Sequence, residues 1–284
     1  MMLRILVMKI QMYTSSNSIK LCLIGKPNSG KSTLFNTLID SNISPVGDEY
    51  GLTKILYQNK FKFKNYEFNI IDTPGLRRKS KIYQKDEQKR NLEVIKLISS
   101  VDVLILLIDA VENITKQDFR LADHCINKNK IIFFLFNKID VINEKIEFKN
   151  KIKKYLKNNY SKSKMINIDF ISAKKNIRVT NVLLEITKKS ELMSTIIKKV
   201  KLKKFILYLA KQAKYPRVKN IEIKPKYIVQ LTNKVPTFKV FINSNKKAPQ
   251  IFQKFFENAF RKFFKLEGIP IILKYESSKN PYIH

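Results

Sequence analysis

The stretch that decides the fold is Gly25-Lys26-Pro27-Asn28-Ser29-Gly30-Lys31-Ser32. It matches GxxxxGK(S/T), a phosphate loop in which backbone N–H groups converge on phosphate oxygens where side chains are absent. We expect Lys31 to bring a positive charge to the phosphates, Ser32 to bind Mg²⁺, and Thr33 to complete the nucleotide-binding segment. A phosphate loop alone also occurs in ATPases, so further motifs must identify the nucleotide.

Two further segments carry residues expected to respond to the terminal phosphate. In Asp72-Thr73-Pro74-Gly75, we expect Asp72 to hold Mg²⁺ through water and the Gly75 N–H to meet the γ-phosphate. Thr53, close after Gly51, is predicted to bind the metal ion in the triphosphate state and to release it after hydrolysis. Four of the six glycines fall in these motifs, although average usage predicts about 20 glycines in a chain of this length.

The motif for base recognition is Asn137-Lys138-Ile139-Asp140. The Asp140 carboxylate can accept hydrogen bonds from guanine N1–H and N2–H₂, which adenine does not offer. We expect Asn137 to tie the base to the phosphate loop and the Lys138 stem to cover one face of the base. Ser172-Ala173-Lys174 is predicted to close the pocket, with the Ala173 N–H suited to guanine O6. The ordered set predicts GTP and GDP as ligands.

The sequence offers little for activating water. Leu76 stands where Ras-like enzymes hold a water-orienting Gln, so we predict slow hydrolysis carried by Lys31, Thr53, Gly75 and Asn28. Asn28 is predicted to help hold a K⁺ ion that supplies the charge of an arginine finger. The alternative is that Asn28 is a plain turn residue. The basic segment 77–81 either contacts RNA or is a solvated loop.

From residue 19 onward, short apolar runs alternate with amphipathic helical patterns, which indicates a doubly wound, mostly parallel α/β domain. The predicted strands are 19–24, 55–64, 66–72, 103–109, 131–137 and 166–172. The predicted helices are 31–39, 84–100, 115–127, 144–159 and 179–192. The tail reads as a small α+β unit with helix 196–213, strands 221–231 and 237–242, helix 249–265 and strand 269–276. We divide the chain into an N-terminal tail (1–18), a GTP-binding G domain (19–193) and a C-terminal domain (194–284).

The chain is strongly basic, with 56 Lys and Arg against 23 Asp and Glu and a formal net charge of +33. Residues 195–284 contain 21 of the basic residues and only four of the acidic ones. Such an imbalance favours a polyanionic partner, for example nucleic acid or an anionic membrane face. The alternative is that AT-rich coding inflates the lysine count, since 48 of the 56 basic residues are Lys.

Targeting signals are weak in this sequence. Arg4 and Lys9 interrupt the apolar N-terminus and no small-residue cleavage site follows, which argues against a signal peptide. Apolar runs of about six residues are far short of a membrane span. Cys22 and Cys125 lack metal-ligand spacing and are predicted to be buried thiols. We expect a soluble cytoplasmic protein without a membrane partner.

At this point the sequence resembles the bacterial ribosome-assembly GTPase family Der, also called EngA. The resemblance rests on residues 66–76 (YEFNIIDTPGL) with the basic run after them, 111–121 (VENITKQDFRL), 223–230 (IKPKYIVQ), 235–243 (VPTFKVFIN) and 266–281 (LEGIPIILKYESSKNP). It covers residues 19–282 and matches the family's second G domain followed by its KH-like domain. The resemblance implies a GTP-hydrolysing switch in ribosome biogenesis, which acts on the large ribosomal subunit and its rRNA through a KH-like docking domain.

Departures from the family pattern leave alternatives open. The family carries two G domains and this chain has one phosphate loop, so we expect a fragment, a reduced version, or a separate chain that supplies the first domain. Leu52 stands where the family places a second Thr beside Thr53. Era, an alternative that acts on the small subunit, clamps RNA with a Gly-X-X-Gly loop, yet the only glycine after Ser194 is Gly268. A GTP-gated RNA-binding scaffold, or a degenerate fragment with negligible turnover, is a further alternative.

Overall fold

The computed structural model describes residues 17–40, 58–71, 95–212, 215–218, 221–231, 234–244 and 248–277. The chain divides into two compact units, Met1–Lys188 and Lys189–His284, which we call the first and the second unit. The domain bounds predicted from the sequence, with a division at 193/194, remain predictions.

The first unit is built on a six-stranded sheet. Its strands are β1 (Asn17–Ile24), β2 (Gln58–Phe63), β3 (Tyr66–Ile71), β4 (Val103–Asp109), β5 (Ile131–Asn137) and β6 (Ile166–Phe170). They lie in the order β2-β3-β1-β4-β5-β6. The β2–β3 pair is antiparallel, and the other pairs are parallel. The predicted α/β architecture with a mostly parallel sheet is therefore confirmed.

Four helices follow the predicted order: α1 (Lys31–Asp40), α2 (Lys116–Asn127), α3 (Lys145–Asn159) and α4 (Val179–Ser194), the last of which runs past the end of the first unit at Lys188. Residues 95–100 are also helical, whereas residues 84–94 of the predicted helix 84–100 lie outside the described residues. Helix α2 begins next to Thr115, whose N–H donates to the Asp118 carboxylate over 2.7 Å. This bond satisfies an N–H that the helix itself leaves without a partner.

The central strands read as continuous apolar runs because both faces of a parallel sheet are covered. Strand β4 (VLILLID) is buried up to its last residue and β5 (IIFFLFN) along its whole length. Asp109 and Asn137 are partners in the register, so the first polar side chains of both strands emerge at the same edge of the sheet. Cys22 and Cys125 are buried as predicted, and burial raises the pKa of the Cys125 thiol to about 12.

The second unit is the predicted small α+β fold. Its elements are α5 (Lys199–Gln212), β7 (Arg217–Val218), β8 (Ile221–Glu222), β9 (Pro225–Leu231), β10 (Thr237–Ile242), α6 (Gln250–Phe264) and β11 (Ile272–Ser277). Central strand β10 pairs antiparallel with β9 and parallel with β11. Strands β7 and β8 form a separate two-stranded ribbon that the sequence patterns did not predict.

Aromatic rings dominate the core of the second unit. Phe252, Phe256 and Phe260 of α6 are spaced by four residues, fully buried, and packed with Phe205 of α5 and other apolar side chains. Arg261, which is only 2% exposed, is a charged side chain buried in the same unit. It donates to Glu257 Oε1 over 2.8 Å, and to the carbonyls of Leu266 over 3.0 Å and Ile269 over 2.7 Å. These bonds satisfy the guanidinium and hold the chain that follows α6.

Helix α5 begins later than predicted, at Lys199 rather than residue 196. The Gln230 side chain accepts a hydrogen bond from the Ile197 N–H over 2.7 Å and donates to the Thr195 carbonyl over 3.0 Å. In a helix that began at residue 196, the Thr195 carbonyl would accept from the Lys199 N–H, so the Gln230 amide occupies the carbonyl that an earlier turn would use.

The predicted strand 221–231 is also divided, into β8 and β9. The Ile223 N–H donates to the Pro216 carbonyl over 3.2 Å and so continues the β7–β8 pairing, whereas the Lys224 N–H donates to Asn243 Oδ1 over 2.8 Å. The Asn243 side chain, distant in sequence, therefore marks the boundary between β8 and β9.

Candidate nucleotide-binding site

The phosphate loop connects β1 to α1 at the carboxyl edge of the sheet. Helix α1 starts directly after it, and the Leu34 N–H donates to the Gly30 carbonyl over 2.8 Å. The Lys31 ammonium turns back into the loop, 2.8 Å from the Gly25 carbonyl and 2.5 Å from the Lys26 carbonyl. A positive charge and the N-terminus of a helix therefore meet in one loop, which suits an anionic phosphate.

Two glycines of the loop are required by its close packing. A Cβ at Gly25 would lie 2.3 Å from the Leu107 carbonyl oxygen of β4. Gly30 has φ +93°, and a Cβ there would lie 2.2 Å from Asn137 Nδ2. No side chain fits at either position, and at Gly30 the left-handed backbone also favours glycine. The loop therefore packs directly against β4 at Gly25 and against Asn137 at Gly30.

Asn137 joins the phosphate loop to the loop that follows β6. Its Nδ2 donates to the Ser29 carbonyl and its Oδ1 accepts from the Ala173 N–H, each over 2.9 Å. Asn137 is 2% exposed and Ser29 is also buried, so these bonds are shielded from water. Thr37 of α1 adds a third link by donating to the Ala173 carbonyl over 2.9 Å. Asn137 is thus bonded to the phosphate loop as expected, and its predicted contact with the base remains a prediction.

Asp140 lies just past β5, within a short 3₁₀ helix, Ile139–Val141, whose Ile139 is buried. A hydrogen bond from the Ser172 side chain lowers the pKa of the Asp140 carboxyl, and Lys175 and Lys174 favour the ionised form further. The Lys175 ammonium is 3.9 Å from Asp140 Oδ2. Asp140 is therefore ionised at neutral pH and can only accept hydrogen bonds.

Lys138 takes a left-handed backbone conformation, φ 65°, at the start of that 3₁₀ helix. Its ammonium forms an ion pair with Asp109 Oδ2 over 2.6 Å. Asp109 ends β4, so this ion pair anchors the Lys138 side chain between the ends of two adjacent strands. The predicted role of its stem over the base remains a prediction.

The Ala173 N–H, predicted to meet guanine O6, donates to Asn137 Oδ1 in the structure. This bond satisfies the buried Asn137 carbonyl oxygen, for which water is not available. The contact with guanine O6 remains a prediction. Ser172 and Ile177 pair as an antiparallel bridge that closes this loop, and Lys174 is exposed at its tip.

Sequence reasoning missed two ion pairs beside the site. Arg178 binds Asp169 at the end of β6 with two bonds, Nε to Oδ1 over 3.0 Å and Nη2 to Oδ2 over 3.1 Å. Lys26 of the phosphate loop binds Glu112 over 2.8 Å, and this bond raises the Lys26 pKa. The first pair holds the loop around Ala173 and the second links the phosphate loop to the segment after β4.

The remaining predicted residues of the phosphate loop face outward. Pro27, Asn28, Ser32 and Thr33 are exposed. Asn28 has φ 62°, a conformation that asparagine tolerates better than most residues. Turn geometry is therefore sufficient to account for an asparagine at this position, and the K⁺ site remains a prediction.

The residues predicted to respond to the terminal phosphate belong to parts of the chain that the structure does not describe. Thr53 and the segment Asp72, Thr73, Pro74, Gly75 and Leu76 lie outside the described residues, as do Gly51 and residues 77–81. Of the predicted Mg²⁺ ligands, the described part contains Ser32, whose hydroxyl lies at the exposed start of α1. A hydroxyl is an oxygen donor of the kind that Mg²⁺ prefers.

Two other kinds of feature are absent from the described residues. They contain no group of three or more His, Cys, Asp or Glu side chains placed to hold a metal ion. None of their helices is long and apolar enough to cross a bilayer.

Comparison with known proteins gives matches in both units. Residues 20–138 match the family described as a 50S ribosome-binding GTPase, and residues 197–276 match the C-terminal KH-domain-like family of EngA bacterial GTPase enzymes. GTPase Der of Finegoldia magna is 32% identical over 258 residues, which cover 91% of this chain and 59% of that protein. GTPase Der of Rickettsia prowazekii is 31% identical over 268 residues, 93% of this chain and 60% of that protein. The chain thus spans about 60% of the length of the curated relatives it matches.

Among solved structures, Era in complex with MgGDPNP and nucleotides 1506–1542 of 16S ribosomal RNA is 20% identical. The match covers 92% of this chain and 93% of Era, with a TM-score of 0.46. At that score the likeness carries no argument about this chain.

Proposed function

We propose that the chain is a member of the GTPase Der (EngA) family, and that it binds GTP and GDP with Mg²⁺ and hydrolyses GTP as a switch in ribosome biogenesis. The observation that carries the proposal is the buried Asn137 amide, bonded over 2.9 Å to both Ser29 and Ala173. Because one side chain fixes two loops, the phosphate end and the base end of a nucleotide can be held at a set distance.

Guanine is the base that the site favours. Asp140 is ionised, since the Ser172 hydrogen bond lowers its pKa, so its two oxygens accept and do not donate. Guanine presents two adjacent donors, N1–H and N2–H₂, whereas adenine lacks this pair. Adenine would leave the carboxylate short of partners, and a buried or half-buried charge without partners is costly.

For hydrolysis, Lys31 supplies positive charge to the β- and γ-phosphates and Ser32 would hold Mg²⁺. Mg²⁺ held there would supply positive charge against the negative charge that develops during phosphoryl transfer. Leu76 cannot orient water, so we propose that turnover is slow and that a K⁺ ion near Asn28 stimulates it. Thr53, Asp72 and Gly75 are proposed to complete the metal site and to report the γ-phosphate.

Hydrolysis is tested by steady-state GTP turnover in K⁺ and in Na⁺, with and without ribosomes. Lys31→Ala should abolish turnover, and Asn28→Ala should remove the response to K⁺ while GDP affinity is retained. Equal rates of the natural protein in the two salts would contradict the K⁺ site and leave GTP binding untouched.

The proposed partner is the large ribosomal subunit, which the second unit contacts through rRNA phosphates. In helix α5, Leu202, Phe205 and Leu209 are buried in the core, while the lysines of the same helix are exposed: Lys199, Lys201, Lys203, Lys204 and Lys211. One face of the helix thus packs in the core, and the other exposes positive charge. Lysines bind phosphates as point charges, with little reading of bases.

Docking is tested by pelleting the protein with large subunits at two salt concentrations. Affinity should fall by about 0.7–0.9 log units per tenfold rise in salt for each phosphate contacted. The GTP-analogue form should bind better than the GDP form, because Thr53 and Gly75 are proposed to order the basic segment 77–81. Binding that ignores both salt and nucleotide would contradict a switch.

A second candidate function is a GTP-gated RNA-binding scaffold with negligible turnover. Leu76 favours it, because a leucine follows the Asp-Thr-Pro-Gly motif where a polar side chain would orient water. Nucleotide-dependent binding to ribosomes without measurable hydrolysis would select this candidate over the enzyme.

A further inference from the structure

The sheet of the second unit has one face that packs on helices and one that does not belong to the core. Ile228, Val240 and Tyr275 are register partners across β9, β10 and β11, and they pack in the core. Side chains alternate along strands, so the neighbouring register rows point the other way. Those rows define the outer face: Tyr227, Val229, Lys239, Phe241, Lys274 and Glu276.

An aromatic pair stands on this outer face. The rings of Tyr227 and Phe241 are stacked, with centroids 4.1 Å apart and planes 15° from parallel. Tyr227 lies on the edge strand β9 and is 48% exposed, and Val229 beside it is 39% exposed. By contrast, the stacked pair Phe61–Phe68 of the first unit is fully buried. Exposed stacked rings do not serve a core, so they call for another explanation.

Two lysines lie beside the pair. Lys239 and Lys274 are register partners in the next row of the same face. Among the six residues of the outer face the one carboxylate is Glu276, which is bound to Lys239 over 2.8 Å. The local balance is therefore positive, in a part of the chain where 21 basic residues stand against four acidic ones.

We propose that the outer face is a base-stacking platform for single-stranded RNA, in which a nucleobase continues the Tyr227–Phe241 stack and the lysines contact the flanking phosphates. Aromatic rings on an open sheet with a cationic border bind unpaired bases in this way without reading sequence. The apolar area, two rings and one valine, matches a base better than a protein interface, whose core is larger and depleted of charge. This inference rests on the proposed RNA partner and adds an unpaired segment to the phosphate contacts of α5.

The chain contains no tryptophan, so Tyr227→Trp gives a single fluorescent reporter on the platform. The probes are a 12-nucleotide oligo(U), a 12-nucleotide oligo(A) and an RNA duplex of equal length. Both single strands should quench the introduced indole, oligo(A) more strongly because purines stack better, while the duplex should bind through charge with little quenching. Tyr227→Leu and Phe241→Leu should each weaken single-strand binding about 5- to 100-fold with an unchanged salt slope.

Ile251→Ala is the matched control, since Ile251 is 68% exposed on α6, outside the sheet. It should bind RNA like the natural protein, and circular dichroism should confirm that the sheet variants are folded. Lys274→Gln, placed in the Tyr227→Trp background, should reduce the salt slope by about one phosphate contact without abolishing the quenching of the reporter.

The outcomes separate the platform from the proposed function. If RNA binds, yet the fluorescence of the Tyr227→Trp protein is unchanged and Tyr227→Leu binds normally, the platform is wrong and phosphate docking survives. If the natural protein binds neither RNA nor ribosomes, both fail. If the reporter's fluorescence changes with protein concentration in the absence of RNA, a second copy covers the face and the platform is overturned.

Discussion

The two units use polar groups in opposite ways. In the first unit the site depends on a few buried polar side chains, such as Asn137 and Ser172, whose hydrogen bonds tie loops together. In the second unit the core is rich in phenylalanine rings, and the lysines of α5 lie outside it. Directional bonds fix loop positions, whereas aromatic packing supplies stability and leaves the surface free to bind by charge. A small atomic change should therefore disable the first unit's function, and a change of volume should unfold the second.

The largest expected effect on stability is that of Phe256→Ala in the second unit. Phe256 is fully buried and contacts Phe205, Phe252, Phe260 and Tyr275. Removing its ring should cost about 3–5 kcal/mol of the free energy of unfolding, from lost burial plus the cavity. Hydrogen exchange of the β10 amides measures this loss, and Ile251→Ala is the exposed control. GDP affinity of the first unit should be unchanged. A loss of GDP binding as large as the loss of stability would contradict the distinction drawn between the two units.

Next in size is Asn137→Ala in the first unit. The variant leaves the Ser29 carbonyl and the Ala173 N–H without the Asn137 partner, at about 1–3 kcal/mol for each group that stays buried. We expect GDP affinity to fall on the order of 100-fold, measured by titration calorimetry. Thr37→Val is the matched control, because it removes one bond to the Ala173 carbonyl and should weaken binding only about fivefold. If the two variants were equivalent, Asn137 would not be the central tie.

The smallest effect concerns Arg178→Lys, which keeps the charge and loses the two-bond contact with Asp169. The Arg178 side chain is 47% exposed, so solvent screens the pair and GDP binding should weaken only about two- to fivefold. The difference should fade in about 1 M salt. Lys188→Gln is the control, because it removes the exposed ion pair between Lys188 and Glu185 on α4. It should leave GDP binding unchanged. A loss above about 20-fold would assign Arg178 a direct contact with the nucleotide.

Parts of the fold and site that depend on contiguous sequence were predictable. The phosphate loop, the Asn137–Asp140 motif and the strands β4 and β5 are marked by local patterns, and the link from Asn137 to the phosphate loop was correctly expected. Contacts between distant side chains were not: Lys26–Glu112, Arg178–Asp169 and the Gln230 bonds that delay α5. The outer face was hidden for the same reason, since strand patterns give no register and Tyr227 becomes the partner of Phe241 only in the folded sheet.

The central claim is that the first unit reads guanine through the Asp140 carboxylate, and Asp140→Asn tests it most directly. Replacing an acceptor by an amide puts a donor opposite guanine N1–H and N2–H₂, so the affinity for GTP should fall on the order of 100-fold or more. Xanthosine triphosphate carries an oxygen at C2 in place of the amino group, so its affinity should rise in the variant. The measurement is the pair of dissociation constants for GTP and xanthosine triphosphate in both proteins. A reversal of preference is the predicted result, and an unchanged GTP affinity would contradict the assignment of the site.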